Sequence, residues 1–455
     1  MSYPLGTYAP HFAGLSDRLR VRGENVVLIS GDQSFSASAL LIAIDSWRDE
    51  LRSAGVKAGN ICAFEGDYRL ETVSLMLALM QAGAIVVPFS YGMPSERAEL
   101  CHVAGVEWQI DWNSRSVFKR DPSSPTTHPL IENLRASRRP GLIVFTSGSS
   151  GKPKAILHDV ERVATKFAMA RQPWRMLLML LIDHFGGFNT LLACLFDGGV
   201  GICVENRKPE TVCKAIATAH AELLPTTPTF LGLLIGSGLW RVHDLSSLKL
   251  ITYGTEPMPP ATLKRVKEVF PNAQLKQTYG LSELGVLRSS SPDSESVWLK
   301  IGGLGFETRI VDGELHVRSQ SSMLGYLNAP TPIDKDGWMN TGDLVEEKEG
   351  LIRFVGRKSD IINVGGQKVF PAEVEDVILE VAGVTQASVR GIRNTVLGNA
   401  IVARVSLDEF EHQAHAIERI RDHCRTRLQK FKVPIRFEIV DQSSMSSNRS
   451  KKIRT

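Results

Sequence analysis

The sharpest chemical signal in the chain is the loop Phe145-Thr-Ser-Gly-Ser-Ser-Gly-Lys-Pro-Lys154, which follows the apolar run GLIVF. Its glycines, serines and threonine offer many backbone N–H groups and hydroxyls, and Lys152 and Lys154 add positive charge. A nest of that kind suits a polyphosphate. It is not a Walker A loop, because Pro153 stands where Ser or Thr must follow Gly-Lys. A second basic spot, Arg449, Lys451, Lys452 and Arg454, lies at the far C-terminal end.

These residues need a frame. The runs Ile61–Phe64, Ala84–Val87 and Leu142–Phe145 predict buried parallel strands. Between them, residues 71–81 predict an amphipathic helix, apolar at Val73, Leu75, Met76, Leu79 and Met80. Strand–helix alternation implies an α/β fold with parallel-rich sheets and crossover helices in a large N-terminal domain. The texture changes near Gly342: residues 342–366 predict two short hairpin strands and then a Gly pair. Residues 371–379 predict a helix with acids in its first turn. A boundary is expected at 357, giving domains 1–356 and 357–455, the second a small, mobile α+β module.

Composition narrows the class. The 455 residues, 43% hydrophobic and 22% charged, suit a soluble globular protein of two to four domains. The net charge of +4 is small and spread out, which argues against a nucleic-acid partner. The six cysteines form no CxxC pair and read as reduced, mostly buried thiols of a cytoplasmic protein. The chain opens without a signal-peptide pattern, and its longest apolar stretch, residues 176–182, is too short to span a bilayer.

In chain order, several further segments join the loop: residues 80–100 (MQAGAIVVPFSYGMPSERAEL), Tyr253–Pro259, Gln277–Glu283, Gly313-Glu-Leu, Gly325-Tyr326, Asn340–Asp343, Phe354–Ile362, Gly365–Glu375 and Arg449–Ile453. Together they closely resemble the adenylate-forming superfamily of acyl-CoA synthetases, peptide-synthetase adenylation domains and luciferases. The resemblance covers roughly residues 25 to 455. It implies that Thr146, Ser147, Gly148, Ser149, Gly151 and Lys154 hold the β- and γ-phosphates of ATP. It implies that Glu283, with Thr146, holds Mg2+, and that Ser282 reaches the α-phosphate. Tyr279, with Gly280 beside it, would offer a face to adenine, with the Gly254, Thr255 and Glu256 backbone opposite. Asp343 would accept the ribose hydroxyls and Arg357 would reach the nucleotide. Lys452 is the expected adenylation lysine, although Lys451 replaces the usual Gly before it. The hinge falls near Ser359, and Gly365 and Gly366 would line the path of a pantetheine thiol.

The same resemblance places the segment Leu180–Phe188 beside an acyl pocket and His184 near the substrate carboxylate. Amino-acid-activating relatives carry Asp at the next position; here it is Phe185, so a substrate without an α-ammonium is expected. Asp183, one place earlier, is the alternative register. Gly186, Gly187 and Phe188 suggest a pocket with room and one aromatic wall, for an aryl or modest aliphatic acid. The implied activity is ATP-dependent acyl-adenylate formation followed by transfer to CoA. The phosphopantetheine of an acyl carrier protein, an amine, or a catalytically silent nucleotide-binding partner role remain as alternatives.

Overall fold

The computed structural model of the chain describes residues 12–91, 94–120, 128–147, 152–293, 296–303, 305–395, 397–407 and 413–441. Strand sequences such as IVVPF are β-branched and apolar and are buried on both faces, as parallel strands between covering layers must be. Among the described residues they assemble two seven-stranded sheets. In the first, Gly141–Ser147, Ile85–Phe89, Ile61–Glu65 and Trp108–Asp111 run parallel. Pro153–Asp159, Gly325–Tyr326 and Ser116–Lys119 extend its edges antiparallel. In the second, six strands from Gln274–Gln277 to Val26–Ser30 are parallel, and Gln33–Ser36 closes one edge as a hairpin.

The helices Leu70–Gln81 and Phe185–Phe196 sit in a core shared by both sheets. Leu75, Met76, Phe188 and Leu191 pack there with Phe64 and Val86 of one sheet and Leu28 and Leu178 of the other. The Leu70–Gln81 helix is therefore not amphipathic as predicted: every residue from Thr72 to Met80 is buried. Its polar members are satisfied locally, with the Ser74 hydroxyl donating to Glu71 O and the Thr72 hydroxyl to Asp67 O.

The strands Trp338–Lys348 and Leu351–Arg357 pair as a hairpin, as expected, but the first strand starts ahead of residue 342 and is long. It joins Phe306–Val311 and Glu314–Ser319 in an antiparallel sheet. The turn Lys358–Asp360 then leads to the small hairpin Ile362–Val364/Gln367–Val369 and the helix Pro371–Leu379. That helix opens on proline with Glu373 in its first turn, as its sequence signals. The strands Val384–Asn394, Gly398–Leu407 and Arg436–Ile439 and the helix Gln413–Arg427 complete a module with its own core, including Val374, Ile378, Val389, Ile401, Ile420 and Phe437. Arg265, on the helix Pro260–Val269, donates to the carbonyls of Leu379, Val381 and Val384 and so ties the module to the larger part.

Candidate active site

The phosphate loop is the tip of an antiparallel hairpin. Thr146 pairs with Lys154 and Ser147 with Pro153 across its two strands. Gly148, Ser149 and Gly151, at that tip, lie outside the described residues. The neighbouring strand Gly325–Tyr326 pairs with Ile156 and Leu157 and brings Tyr326 alongside. The Lys154 ammonium sits 5.0 Å from the centre of the Tyr326 ring. The Tyr326 hydroxyl donates to Glu283 Oε1 at 2.6 Å. Burial, and then the Glu283 charge, push that phenol well above its ordinary value, so it stays a donor. Lys154, Tyr326 and Glu283, far apart in sequence, thus form one cluster. Glu283 and Thr146 are oxygen donors suited to a hard cation already carried by phosphates. Among the described residues no group of three or more His, Cys, Asp or Glu is placed to hold a metal ion by itself.

Six of the residues expected at the nucleotide, Thr255, Glu256, Tyr279, Gly280, Asp343 and Arg357, line one cleft of about 940 Å³. Residues from Pro371 to Glu380 of the small module form its opposite wall. Asp343 is nearly buried: its Oδ2 accepts from the Tyr279 hydroxyl at 2.6 Å and its Oδ1 from Arg357 Nε at 3.1 Å. Burial and then the Asp343 charge hold the Tyr279 phenol well above its usual range. One face of Tyr279 is not open to adenine. Phe354 stacks on it, with ring centroids 4.6 Å apart and planes 18° from parallel. Thr255 has φ of +72°, which for a β-branched residue stores roughly 1–3 kcal/mol of strain. The Glu256 carboxylate turns away to accept from the backbone N–H and hydroxyl of Thr229 at the start of the helix Pro228–Gly236.

The half-buried Ser282 follows Tyr279–Leu281 directly. Behind it lies His158, fully buried, its ring 4.6 Å from that of Phe185. Burial holds the His158 imidazole down to about 3, hence neutral. His184 immediately precedes the helix Phe185–Phe196, in extended conformation. Phe185 turns into the core. Asp183, the alternative register, is buried and accepts from the Ser90 hydroxyl at 2.6 Å.

Two expectations for the pocket fail. A Cβ on Gly187 would lie 2.0 Å from Leu181 O and 2.6 Å from the Tyr68 hydroxyl, so this glycine permits close packing and opens no room. Phe188 is fully buried in the core and walls no pocket. Gly365 and Gly366 form an exposed hairpin tip with φ of +56° and +84°, a turn that needs glycine, and do not line the nucleotide cleft. Ser359 is exposed in the turn after Arg357. Lys451 and Lys452 lie outside the described residues, and the side chain of Ser147 is likewise not described. Sequence reading missed Phe354 and gave Tyr326 no role, although both stand inside motifs that it singled out. All six cysteines are buried and free.

The family profile described as AMP-binding enzyme matches residues 15–327, and that of the AMP-binding enzyme C-terminal domain matches residues 373–452. A methyl-dioxo-octahydro-indenyl propanoyl:CoA ligase of Mycobacterium tuberculosis is 30% identical, the match covering 94% of each chain. A ligase of the same name from Rhodococcus jostii is 29% identical over 68% of this chain, which spans 63% of that relative's length. The fold is also that of the anthranilate CoA ligase AuaEII, solved in complex with anthranoyl-AMP. The TM-score is 0.83 and the identity 19%, over 98% of this chain and 96% of the other. Among the described residues no helix is long and apolar enough to cross a membrane.

Proposed function

We propose that this chain, which belongs to the AMP-binding enzyme family, activates a small carboxylic acid with ATP and passes the acyl group to the thiol of CoA. In the first step a carboxylate oxygen bonds to the α-phosphorus of ATP as the bond to pyrophosphate breaks. In the second the thiol loses its proton to solvent, its sulfur bonds to the acyl carbon, and AMP leaves. Little covalent work falls to the protein, so positioning and charge stabilisation must supply the rate.

The observation that carries this reading is the convergence of Thr255, Glu256, Tyr279, Gly280, Asp343 and Arg357 on one cleft. Adenine would lie on the face of Tyr279 not covered by Phe354, against the Gly254–Glu256 backbone. The ribose hydroxyls would join Tyr279 and Arg357 on the Asp343 carboxylate, which has lone pairs for both. The phosphates would take the hairpin tip from Thr146 to Lys154, and Ser282 would meet the α-phosphate. Mg2+, bound to the phosphates, would neutralise their charge and meet the protein at Glu283 and Thr146. Lys452 would bridge the substrate carboxylate and the α-phosphate, and His184 would lie beside that carboxylate. The domains proposed are 1–356 and a lid, 357–455, that turns about Ser359 between the two steps and brings Gly365 and Gly366 to the thiol. A strand that ends at Arg357 and a short exposed turn after it support that hinge.

The acid is aryl or modest aliphatic and not an α-amino acid, a reading supported by the burial of Phe185. CoA as acceptor is supported by the names of the two propanoyl:CoA ligases and of the anthranilate CoA ligase. The test is pyrophosphate release across aryl, aliphatic and amino acids, each with and without CoA. Release with aryl or aliphatic acids that rises with CoA is expected. Release indifferent to CoA would move the acceptor to a carrier-protein thiol or an amine. Release fastest with an amino acid would refute the acid class, and silence throughout would favour a binding-only protein.

A further inference from the structure

The helix Phe185–Phe196 is buried except along one stripe. Gly186, Asn189 and Ala193 are only half-buried, at spacings of three and four. The stripe starts two residues beyond His184 and lies beside the strand Gly285–Ser290, whose Val286 is likewise half-buried. Phe185 marks the contact: its ring edge would be 3.7 Å from a Cβ on Gly285. At the far end of this seam stands Lys166, from the short turn Thr165–Phe167. Its ammonium donates to Asn189 Oδ1 on the helix and, at 3.3 Å, to the Val286 carbonyl on the strand. An ammonium carries three hydrogens, so one donor is left over.

The surroundings are positive. Arg171 and Arg288 act electrostatically on both Lys166 and Lys276, and among the described residues Asp197 is the carboxylate that acts on Lys166. Asp197 already accepts from the Arg171 backbone at 3.0 Å. Among the described residues none of Lys166, Arg171, Lys276 and Arg288 forms an ion pair. Burial, and then the two arginines, push the Lys166 ammonium down to about 7. A half-buried lysine among like charges is unfavourable unless an anion joins it.

We propose that the acid bears a second anionic group, a carboxylate, held at the far end of the acyl pocket by Lys166 and Asn189 with Arg288 and Lys276 around it. This rests on the acid-activation reading above and narrows its substrate to dicarboxylates. Asn189 stands in the second turn of the helix that His184 precedes, so the two ends call for a diacid with a spacer between its carboxylates, such as one aromatic ring or a short alkyl chain.

The test compares matched mono- and dicarboxylic acids of one skeleton, benzoate against terephthalate and hexanoate against adipate, by pyrophosphate release. The native protein should favour the diacid in kcat/KM by about tenfold or more, the worth of one charge-assisted hydrogen bond. Lys166→Met should erase that preference by lowering kcat/KM for the diacid about tenfold more than for the monoacid, and Arg288→Gln, at an exposed position, should reduce it in part. Equal use of both acids by the native protein, or a Lys166→Met loss shared equally by both, overturns the subsite and leaves acid activation standing. Silence with all four acids, in a protein that also fails the wider panel, overturns the activation reading and the subsite with it.

Discussion

Asp343→Asn is the most informative single change at the nucleotide cleft. The native carboxylate is almost buried and holds two donors, the Tyr279 hydroxyl and Arg357 Nε. An amide of the same shape keeps one acceptor, which Tyr279 retains, but turns an N–H2 toward Arg357. That guanidinium is about half exposed, so it moves into water at little cost to stability. The larger effect falls on ATP. Hydrogen bonds to a charged group contribute about 1.5–3 kcal/mol and neutral ones about 0.5–1.5, so the change costs about 1 kcal/mol per ribose hydroxyl. Two hydroxyls make about 2 kcal/mol, or roughly thirtyfold in ATP affinity. Pyrophosphate release measured against ATP concentration at saturating acid should show the KM for ATP rising by that factor. The KM for the acid should stay within about twofold, because the role proposed for Asp343 touches the ribose and not the acid. An unchanged KM for ATP, or both constants rising together, would refute the ribose assignment.

Three further outcomes are expected. Tyr326→Phe removes a donor from Glu283 and should lower pyrophosphate release by about tenfold, the worth of a hydrogen bond to a charged group, with little change in denaturation midpoint; an unaltered rate across Mg2+ concentrations would dismiss the Lys154–Tyr326–Glu283 cluster. Gly187→Ala drives a methyl into the Leu181 carbonyl and should cost about 1–3 kcal/mol in denaturant unfolding, whereas Gly186→Ala, 3.4 Å from the Leu180 side chain, should be nearly silent; equal effects would contradict the packing described. His158 is held neutral, with its pKa depressed from 6.5 to about 3, so the unfolded chain binds its proton first as pH falls. Stability is unaffected by this group above pH 6.5 and is lost progressively as pH falls below it, because the unfolded chain binds the proton that the folded one refuses. His158→Phe should flatten that part of the stability–pH curve, and a parallel curve would count against the assignment.

What could be read along the chain was local. The phosphate hairpin announces itself by an apolar strand running into Gly, Ser and Lys, and Thr146 and Lys154 pair as so short a connection requires. The helix Pro371–Leu379 begins at its proline. Periodicity could not show that a second sheet would cover the polar side of the Leu70–Gln81 helix. Nor could it show that Gly187 is glycine because Tyr68, over a hundred residues earlier, fills its space. Phe354 covers Tyr279 by a sheet contact that no spacing encodes.

The sequence by itself determined the residue types of the site, their order and the elements that carry them, because caps, turns and buried strands are short-range choices. Only the tertiary structure decided which of those residues meet. Lys154 reaches Glu283 through Tyr326, and Lys166 finds Asn189 and Val286, because strands and helices distant in the chain pack side by side. The free energy of that packing depends on what each face buries and against which neighbour, information that no single segment holds.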